Sequence, residues 1–182
     1  VLLEEVIDIN PHYGDAYFNL GNMLVEGGQY REARVQYRKA LSAYKNKRKL
    51  NKHDPQNNSD IGETYMRISD YKAAEKAYKQ ALKINPSFVS ALHNWVILLE
   101  AKGRYDEALE KIEQLLKVNP GHGDSLFKRA NILYERGEYS PKHGEETLKA
   151  YRSQLSLDSK DPALHKDIAE TLSKLSDYKG AL

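Results

Sequence analysis

A repeat of about 34 residues is the feature that most constrains how this chain can fold. Tyr residues that follow a Gly or Ser by two positions occur at Tyr30, Tyr71, Tyr105, Tyr139 and Tyr178. Consecutive members are 41, 34, 34 and 39 residues apart, so the first and last intervals exceed 34 by seven and five residues. A fixed period of this length indicates a stack of one small structural unit, in which each unit buries its apolar face against its neighbours.

Apolar spacing inside each unit predicts a pair of α-helices. Before each Gly/Ser-x-Tyr turn, apolar residues recur three or four positions apart, as at Leu92, Trp95 and Leu99, and the same period resumes after the turn. Gly or Ser at the turn ends the first helix, and a Pro opens the next pair. Small residues such as Gly21 and Gly62 allow the two helices to approach closely.

The residue pattern of these units resembles the tetratricopeptide repeat (TPR). An aromatic-x2-Leu-Gly start at Tyr17, an Ala-x3-Tyr-x2-Ala second helix at Ala33, the Gly-x-Tyr turn and the closing Pro all match. The resemblance implies an all-α fold, a right-handed superhelical solenoid of antiparallel helix pairs. The predicted organisation is the end of a preceding repeat at 1–13, repeats at 14–47, 55–88, 89–122 and 123–160, a partial repeat at 162–182, and insertions at about 48–54 and 140–144.

The resemblance implies a non-catalytic protein-interaction scaffold that takes a peptide or helical segment in a concave groove. The first helix of each pair lines that groove. Acidic residues outnumber basic ones on the corresponding helix face, so we expect the groove to prefer neutral or basic segments. The predicted peptide-binding residues are Phe18, Asn19, Asn22, Asp60, Glu63, His93, Asn94, Ile97, Phe127, Lys128, Asn131 and Tyr134.

Aromatic and amide side chains stand out in this predicted groove. Phe18, Phe127 and Tyr134 are expected anchors, because aromatic residues tend to dominate binding energy at interfaces. Asn19 and Asn94 occupy equivalent positions and form a partial ladder, since an amide can both donate to and accept from a peptide backbone. Asn at such positions is also commonly solvated without binding anything, and the sequence leaves both interpretations open.

The sequence does not support one partner known for this family. Some TPR proteins hold the C-terminal carboxylate of heat-shock chaperones in a clamp of Lys, Asn and Arg residues. Asn22 matches that clamp, but Phe18 stands where its Lys belongs and Asp60 where its Asn belongs. In the third repeat, Ser90 and Asn94 replace the Lys and Arg of the clamp.

A stretch at 31–53 is strongly basic, with nine Lys or Arg and one acid. A second helix extending to about Lys52 would gather most of these cations on one face. Such a face would suit an anionic partner, although a solvated helix surface explains the same pattern. No aromatic residue interleaves with the cations on that helix face, which disfavours nucleic acid. The basic stripe consists of Arg31, Arg34, Arg38, Lys45, Arg48, Lys49 and Lys52.

Composition and spacing exclude several classes of protein. The chain has no Cys, so it carries no disulfide or zinc–thiolate site. Its six His form no pair at the i,i+3 or i,i+4 spacing that would indicate a metal site, and no catalytic constellation or cofactor motif is present. We therefore predict no metal, no cofactor and no enzymatic activity. The chain also lacks an apolar run of about 18 residues, which predicts no membrane span.

Two further expectations concern the context of the chain. An alternative to a free-standing scaffold is a substrate-recruiting TPR module of a larger enzyme, such as a glycosyltransferase. The absence of Cys favours a cytoplasmic protein. We also expect end-to-end self-association through apolar helix faces at the two ends of the array. These faces comprise Leu3, Val6 and Ile7 at one end and Leu172, Leu175 and Leu182 at the other.

Tyr is unusually frequent, with 13 residues against three Phe and one Trp. The repeat assigns ten of these tyrosines to packing positions, including the five at the turns. Tyr13, Tyr44 and Tyr134 remain as candidates for function.

Overall fold

The computed structural model describes residues 2–10, 12–155 and 161–180, and the regular secondary structure within these ranges is α-helical. The chain divides into two compact units, Val1–Ala101 and Lys102–Leu182. The first unit contains α1 (Leu2–Ile9), α2 (Gly14–Glu26), α3 (Tyr30–Leu50), α4 (Pro55–Arg67), α5 (Tyr71–Ile84) and α6 (Val89–Ala101), and the second contains α7 (Tyr105–Val118), α8 (Gly123–Glu135), α9 (Pro141–Leu155) and α10 (Pro162–Gly180). No helix in the described ranges has both the length and the apolar character needed to cross a membrane.

Close glycine–tyrosine contacts join the helices of a pair. A Cβ added at Gly14 would lie 2.6 Å from the Tyr44 ring, and one added at Gly21 would lie 2.6 Å from the Tyr37 ring. Gly14 begins α2 and Tyr44 lies near the end of α3, so the two helices are antiparallel. Gly62 of α4 is packed against Tyr78 of α5 in the same way.

The second unit has the same glycine–tyrosine contact, but its tyrosine meets the first residue of the first helix. Gly123, the first residue of α8, lies against the Tyr151 ring, and a Cβ there would be 2.7 Å from Cδ1. Tyr151 therefore takes the position that Tyr44 holds in the first unit, whereas the sequence aligns it with Tyr37. Tyr44 itself is 5% exposed, so its ring is part of the core. The repeat pattern leaves Tyr44 outside the packing positions, and this interpretation is wrong, because its ring packs in the core.

The first insertion is a helical extension. Helix α3 has 21 residues, whereas α5 and α7 have 14 each, so its seven additional residues make about two extra turns. The helix ends at Leu50, and Lys52 lies in the turn that follows. The Asp54 side chain then accepts a hydrogen bond of 3.1 Å from the Asn57 N–H and caps α4.

The second insertion differs from the expected long turn at 140–144. Helix α9 begins at Pro141, because Pro suits the first position of a helix, where its missing N–H is not needed. The residues through Gly144 therefore form the first turn of α9, and only Ser140 lies in the loop. The Ser140 N–H donates to His143 Nδ1 at 3.0 Å, and Tyr139 is buried.

The turn expected before Tyr178 is absent. Helix α10 runs through Ser176 and Tyr178 without a break. At the equivalent turns Gly28, Gly103 and Gly137 adopt a positive φ of 67 to 75°, which a residue with a Cβ adopts only at a cost. Ser176 stays helical instead, and Tyr178 packs edge-on against the Tyr139 ring at 6.0 Å.

Three expectations about packing need correction. The repeat assigns Tyr30 and Tyr105 to packing, but they are 68% and 49% exposed, because each begins a second helix at the surface. Leu175 was expected on an exposed end face, but it is buried with Tyr139 and Leu148. Leu172 is 46% exposed, as expected for that face. Val6 and Ile7 are half-buried, the side chains of Leu3 and Leu182 lie outside the described residues, and self-association stays a prediction.

We expect Gly62→Ala to destabilise the protein, because its Cβ would overlap the fully buried Tyr78 ring. Overpacking of this kind lowers the free energy of unfolding by about 1–3 kcal/mol. Urea denaturation measures the change. Gly27→Ala is the matched control, since its Cβ would meet nothing closer than 3.6 Å. Equal stability of the two variants would contradict this glycine–tyrosine packing.

We expect Ser69→Gly to stabilise the protein. Ser69 holds a φ of 64° at the turn between α4 and α5. A residue with a Cβ pays about 1–2 kcal/mol to hold this left-handed conformation, and Gly does not. Gly loses more backbone entropy on folding, but this costs only about 0.5–1 kcal/mol. Ser176→Gly in the helical part of α10 is the control and should lower thermal stability. A lower melting temperature for Ser69→Gly would show that the turn is not strained.

Candidate functional site

Two adjoining pockets lie on the first-helix side of the first unit. The first, termed the acidic pocket, has a volume of about 240 Å³. The second, termed the tyrosine pocket, has a volume of about 280 Å³. Glu63 of α4 lines both, so together they form one surface, the first-unit groove. The acidic pocket is lined by Asp15, Phe18, Asn19, Tyr44, Asp60 and Glu63, and the tyrosine pocket by Glu63, Met66, Arg67, Tyr78, Asn94 and Ile97.

Three carboxylates give the acidic pocket its character. The Tyr44 hydroxyl donates a hydrogen bond of 2.6 Å to Asp15 Oδ1, and Gln56 Nε2 donates one of 2.7 Å to Asp60 Oδ1. Burial raises the pKa of Asp60 to about 6, and the nearby carboxylates of Asp15 and Glu63 act in the same direction. The pocket therefore gains negative charge as pH rises through 6.

Tyr78 is the distinctive group of the tyrosine pocket. Its side chain is fully buried, and its hydroxyl has no hydrogen-bond partner among the residues that the structure describes. Other tyrosines that pack against a glycine of the first helix are bonded: the Tyr37 hydroxyl donates to Asn22 Oδ1 at 2.8 Å, and the Tyr151 hydroxyl donates to Asp167 Oδ2 at 3.2 Å. Burial raises the pKa of Tyr78, so the hydroxyl stays protonated and can donate a hydrogen bond.

Phe18 and Arg67 lie at the junction of the two pockets. The Phe18 ring packs at 5.6 Å from the Tyr37 ring, and the Arg67 guanidinium lies 5.7 Å from the Phe18 centroid. Arg67 also approaches Glu63 Oε1 at 3.5 Å. One cation therefore partly covers the predicted aromatic anchor, and its ion pair is exposed enough to rearrange at little cost.

The predicted anchors of the second unit are engaged by the chain itself. Lys174 of α10 lies 5.6 Å from the centroids of both Phe127 and Tyr134. Its ammonium also donates to Asn131 Oδ1 at 2.7 Å and to Glu170 Oε1 at 2.5 Å. A lysine of this chain thus occupies the cation position between the two rings, and Lys128 beside them is half-buried.

The structure distributes the predicted peptide-binding residues unevenly. In the first unit, it brings Phe18, Asn19, Asp60, Glu63, Asn94 and Ile97 to the lining of the two pockets. Asn22 instead accepts the Tyr37 hydrogen bond, and the half-buried His93 lines neither pocket. Sequence reasoning missed Tyr78 as a site residue, because Tyr78 follows the core periodicity of α5 and the sequence does not show that its hydroxyl lacks a partner among the described residues.

The basic stripe separates into two parts. Lys45, Arg48, Lys49 and Lys52 line a depression of about 970 Å³, termed the basic hollow. The other members of the stripe, Arg31, Arg34 and Arg38, do not line it and are exposed. The remaining lining residues, none of which the sequence pattern singles out, are His53, Asn58, Lys76, Gln80, Lys83 and Ile84.

Comparison with protein families identifies this fold. Residues 27–125 match the family described as the Cilia and flagella-associated protein 70 middle TPR-like domain, and residues 2–35 match the tetratricopeptide repeat. The chain belongs to this family of TPR-like domains. The resemblance of its sequence to the tetratricopeptide repeat is thus confirmed, and we refer to the protein as the TPR chain.

Two curated relatives of the TPR chain are also repeat proteins. Small glutamine-rich tetratricopeptide repeat-containing protein 2 of Mycosarcoma maydis is 27% identical over 115 residues, which cover 63% of this chain and 31% of that protein. A TPR repeat-containing protein of Methanocaldococcus jannaschii is 38% identical over 48 residues, covering 26% of this chain and 8% of that protein. The chain thus matches less than a third of the length of either relative.

Solved structures show the same fold. A thermophilic TPR protein of Thermus thermophilus has a TM-score of 0.64 at 18% identity, covering 94% of this chain and 87% of its own. PilF of Pseudomonas aeruginosa has a TM-score of 0.56 at 19% identity, covering 91% and 70%. At these identities the likeness concerns the helical repeat architecture.

We expect Asp60→Asn to stabilise the protein at pH 7.5. The pKa of Asp60 is about 6 in the folded chain, above the value of about 3.9 in an unfolded one. The folded state therefore binds more protons between these values, and the contribution of Asp60 to stability falls as pH rises through that window. The groups that act on it are Asp15 and Glu63, which raise its pKa, and Gln56 and Lys47, which lower it.

Thermal melts at pH 7.5 and at about pH 4 test this linkage. The melting temperature of Asp60→Asn should exceed that of the wild type at pH 7.5, and the difference should shrink at the lower pH. Asp124→Asn, which removes an exposed carboxylate, controls for net charge. A melting temperature below the wild type at pH 7.5 would mean that the ionised Asp60 carboxylate stabilises the fold.

Proposed function

We propose that the TPR chain is a non-catalytic interaction module whose first-unit groove binds an extended segment of another protein. In this proposal a cationic side chain of the partner enters the acidic pocket, and a neighbouring residue enters the tyrosine pocket. The observation that carries the proposal is the buried Tyr78 hydroxyl without a hydrogen-bond partner among the described residues. A buried polar group left unpaired costs about 1–3 kcal/mol, which a bound acceptor would recover.

Charge supports a basic or neutral segment. Asp15, Asp60 and Glu63 converge on the acidic pocket, and no Lys or Arg is among the residues that line it within the described part of the chain. Such a field attracts cationic segments and accelerates their association. It also repels a partner that ends in a carboxylate beside acidic residues, in agreement with the mismatched chaperone clamp in the sequence.

The tyrosine pocket supplies polar and apolar contacts together. The Asn94 amide can donate to and accept from a peptide backbone, and the Tyr78 hydroxyl adds a donor. Met66 and Ile97 provide apolar surface, and Met adapts to differently shaped side chains. We infer that an aliphatic residue of the partner sits here, held through its backbone by Tyr78 and Asn94.

The wider context is part of the same proposal. Membership of a TPR-like family supports protein binding, and the alternative of a substrate-recruiting module in a larger enzyme would use the same groove. The chain covers 31% of the length of its relative from Mycosarcoma maydis, and a catalytic domain joined to the repeats would favour the second case. We propose a cytoplasmic location, supported by the absence of Cys and by a family named after a cilia- and flagella-associated protein.

A peptide library with randomised positions tests the groove, and we expect selected peptides to combine Lys or Arg with a nearby aliphatic residue. Tyr78→Phe should weaken the best peptide by about three- to tenfold, the value of one hydrogen bond, as measured by fluorescence anisotropy. It should not lower the melting temperature, because the hydroxyl has no partner to lose among the described residues.

Tyr37→Phe is the matched control and should show the opposite pattern. It removes the bond to Asn22, so stability should fall while peptide affinity is kept. Asp60→Asn should weaken a Lys-containing peptide more than the same peptide with Gln in place of Lys. Wild-type affinity in Tyr78→Phe, or selection of acidic peptides, would refute the proposed binding mode.

A further inference from the structure

We propose that the basic hollow of the first unit is a second binding surface, for an acidic segment of a partner protein, independent of the groove. Its lining contains six Lys or Arg residues and one His, and none of its ten lining residues, all described, is Asp or Glu. With a volume of about 970 Å³, the hollow has the size of a large binding cleft.

The extension of α3 builds one wall of this hollow. Lys45, Arg48, Lys49 and Lys52 recur at i, i+3, i+4 and i+7, the spacing of a single helix face. The last of them lies just beyond the end of α3, in the turn. An α3 of the 14 residues found in α5 and α7 would end before Lys45. The extra length of the helix therefore creates this wall.

Helix α5 supplies the opposing cations. Lys76 and Lys83 are seven residues apart, which is about two helical turns, so they share one face of α5. Gln80 lies between them on that face, and all three line the hollow. The repeat pattern concerns the apolar residues of α5, which lie on the helix face away from these cations. It therefore predicts a packing role for α5 and no role for Lys76 and Lys83.

Most of these charges are not neutralised within the described residues. Arg48, Lys52, Lys76 and Lys83 form no ion pair there, and the Lys49 ammonium donates only to Asn46 Oδ1, at 3.3 Å. Like charges at i,i+4 along a helix lower its stability. Local conflicts of this kind are expected at functional sites. An external anion would neutralise the hollow.

The lining favours carboxylates of a protein over the phosphates of a nucleic acid or a membrane. None of the ten residues is Phe, Tyr or Trp, so bases find no stacking surface. Ile84 is the single large apolar residue of the lining, too little apolar surface for insertion into a bilayer. The side-chain amides of Asn58 and Gln80 suit a peptide backbone.

Fluorescence anisotropy with defined probes tests this surface. The probes are a short glutamate-rich peptide, the same peptide with Gln for every Glu, a short duplex DNA and phosphatidylserine-containing vesicles. The wild type should bind the glutamate-rich peptide more tightly than the other three, and more weakly at about 200 mM than at about 50 mM salt.

A charge-matched pair of variants separates the hollow from general electrostatics. The triple variant Arg48→Glu, Lys76→Glu, Lys83→Glu should lose at least tenfold in affinity for the glutamate-rich peptide. Arg31→Glu, Arg34→Glu, Arg38→Glu changes the net charge by the same amount on the same stripe but outside the hollow, and should lose less than about threefold. Circular dichroism checks folding, and Gln at the three hollow positions replaces Glu if the reversal unfolds the chain.

Three results would overturn the proposal. Equal losses in the two triple variants would show that overall charge explains binding. Tighter binding of the DNA or the vesicles than of the peptide would show that the partner is a nucleic acid or a membrane and not an acidic protein segment. Failure of the wild type to bind the glutamate-rich peptide at low salt would show that the basic hollow is not a binding surface for acidic segments. Groove variants such as Tyr78→Phe should leave this binding unchanged, so the two proposals fail separately.

Discussion

Contact between a tyrosine ring of the second helix and a glycine of the first is the interaction on which the pairs α2–α3, α4–α5 and α8–α9 depend. Gly21 with Tyr37, Gly62 with Tyr78 and Gly123 with Tyr151 all leave no room for a Cβ. Because the glycine removes a side chain at the point of closest approach, the ring can lie directly on the neighbouring backbone and fill the interface at high density. The buried Ala33 and Ala74 then allow the second helix to come equally close on its own side.

This contact also decides where the tyrosine hydroxyls go. Each ring crosses the interface between the two helices, and its hydroxyl reaches polar groups of the first helices, as Tyr37 reaches Asn22 and Tyr44 reaches Asp15. Tyr78 has the same packing and a fully buried side chain, but among the described residues its hydroxyl meets no acceptor. A packing residue therefore becomes a candidate ligand-binding group through a hydroxyl that packing leaves unpaired among the described residues.

Charge is sorted within the first unit by the same helix-pair arrangement. First helices contribute the carboxylates of Asp15, Asp60 and Glu63 to the groove, whereas second helices carry Arg48, Lys76 and Lys83 to the hollow. Burial keeps the pKa of Asp60 near 6, so the groove changes charge in the physiological range while the hollow stays cationic. A single small unit thus presents two surfaces of opposite sign, suited to different partners.

The sequence by itself determined the repeat and the helix pairs, because these depend on local periodicity, as in the 34-residue spacing from Tyr71 to Tyr105. Only the tertiary structure decided which residues at the same repeat position have the same burial. Tyr30 and Tyr139 share a sequence position, yet one is exposed and the other buried, because the loop before α9 is longer and draws Tyr139 into the core. Tyr78 and Lys83 likewise follow the pattern of their helix, and their roles arise from what neighbouring helices place beside them. Periodicity specifies the face of a helix, but the partner across that face, and the atom left unpaired there, are set by packing.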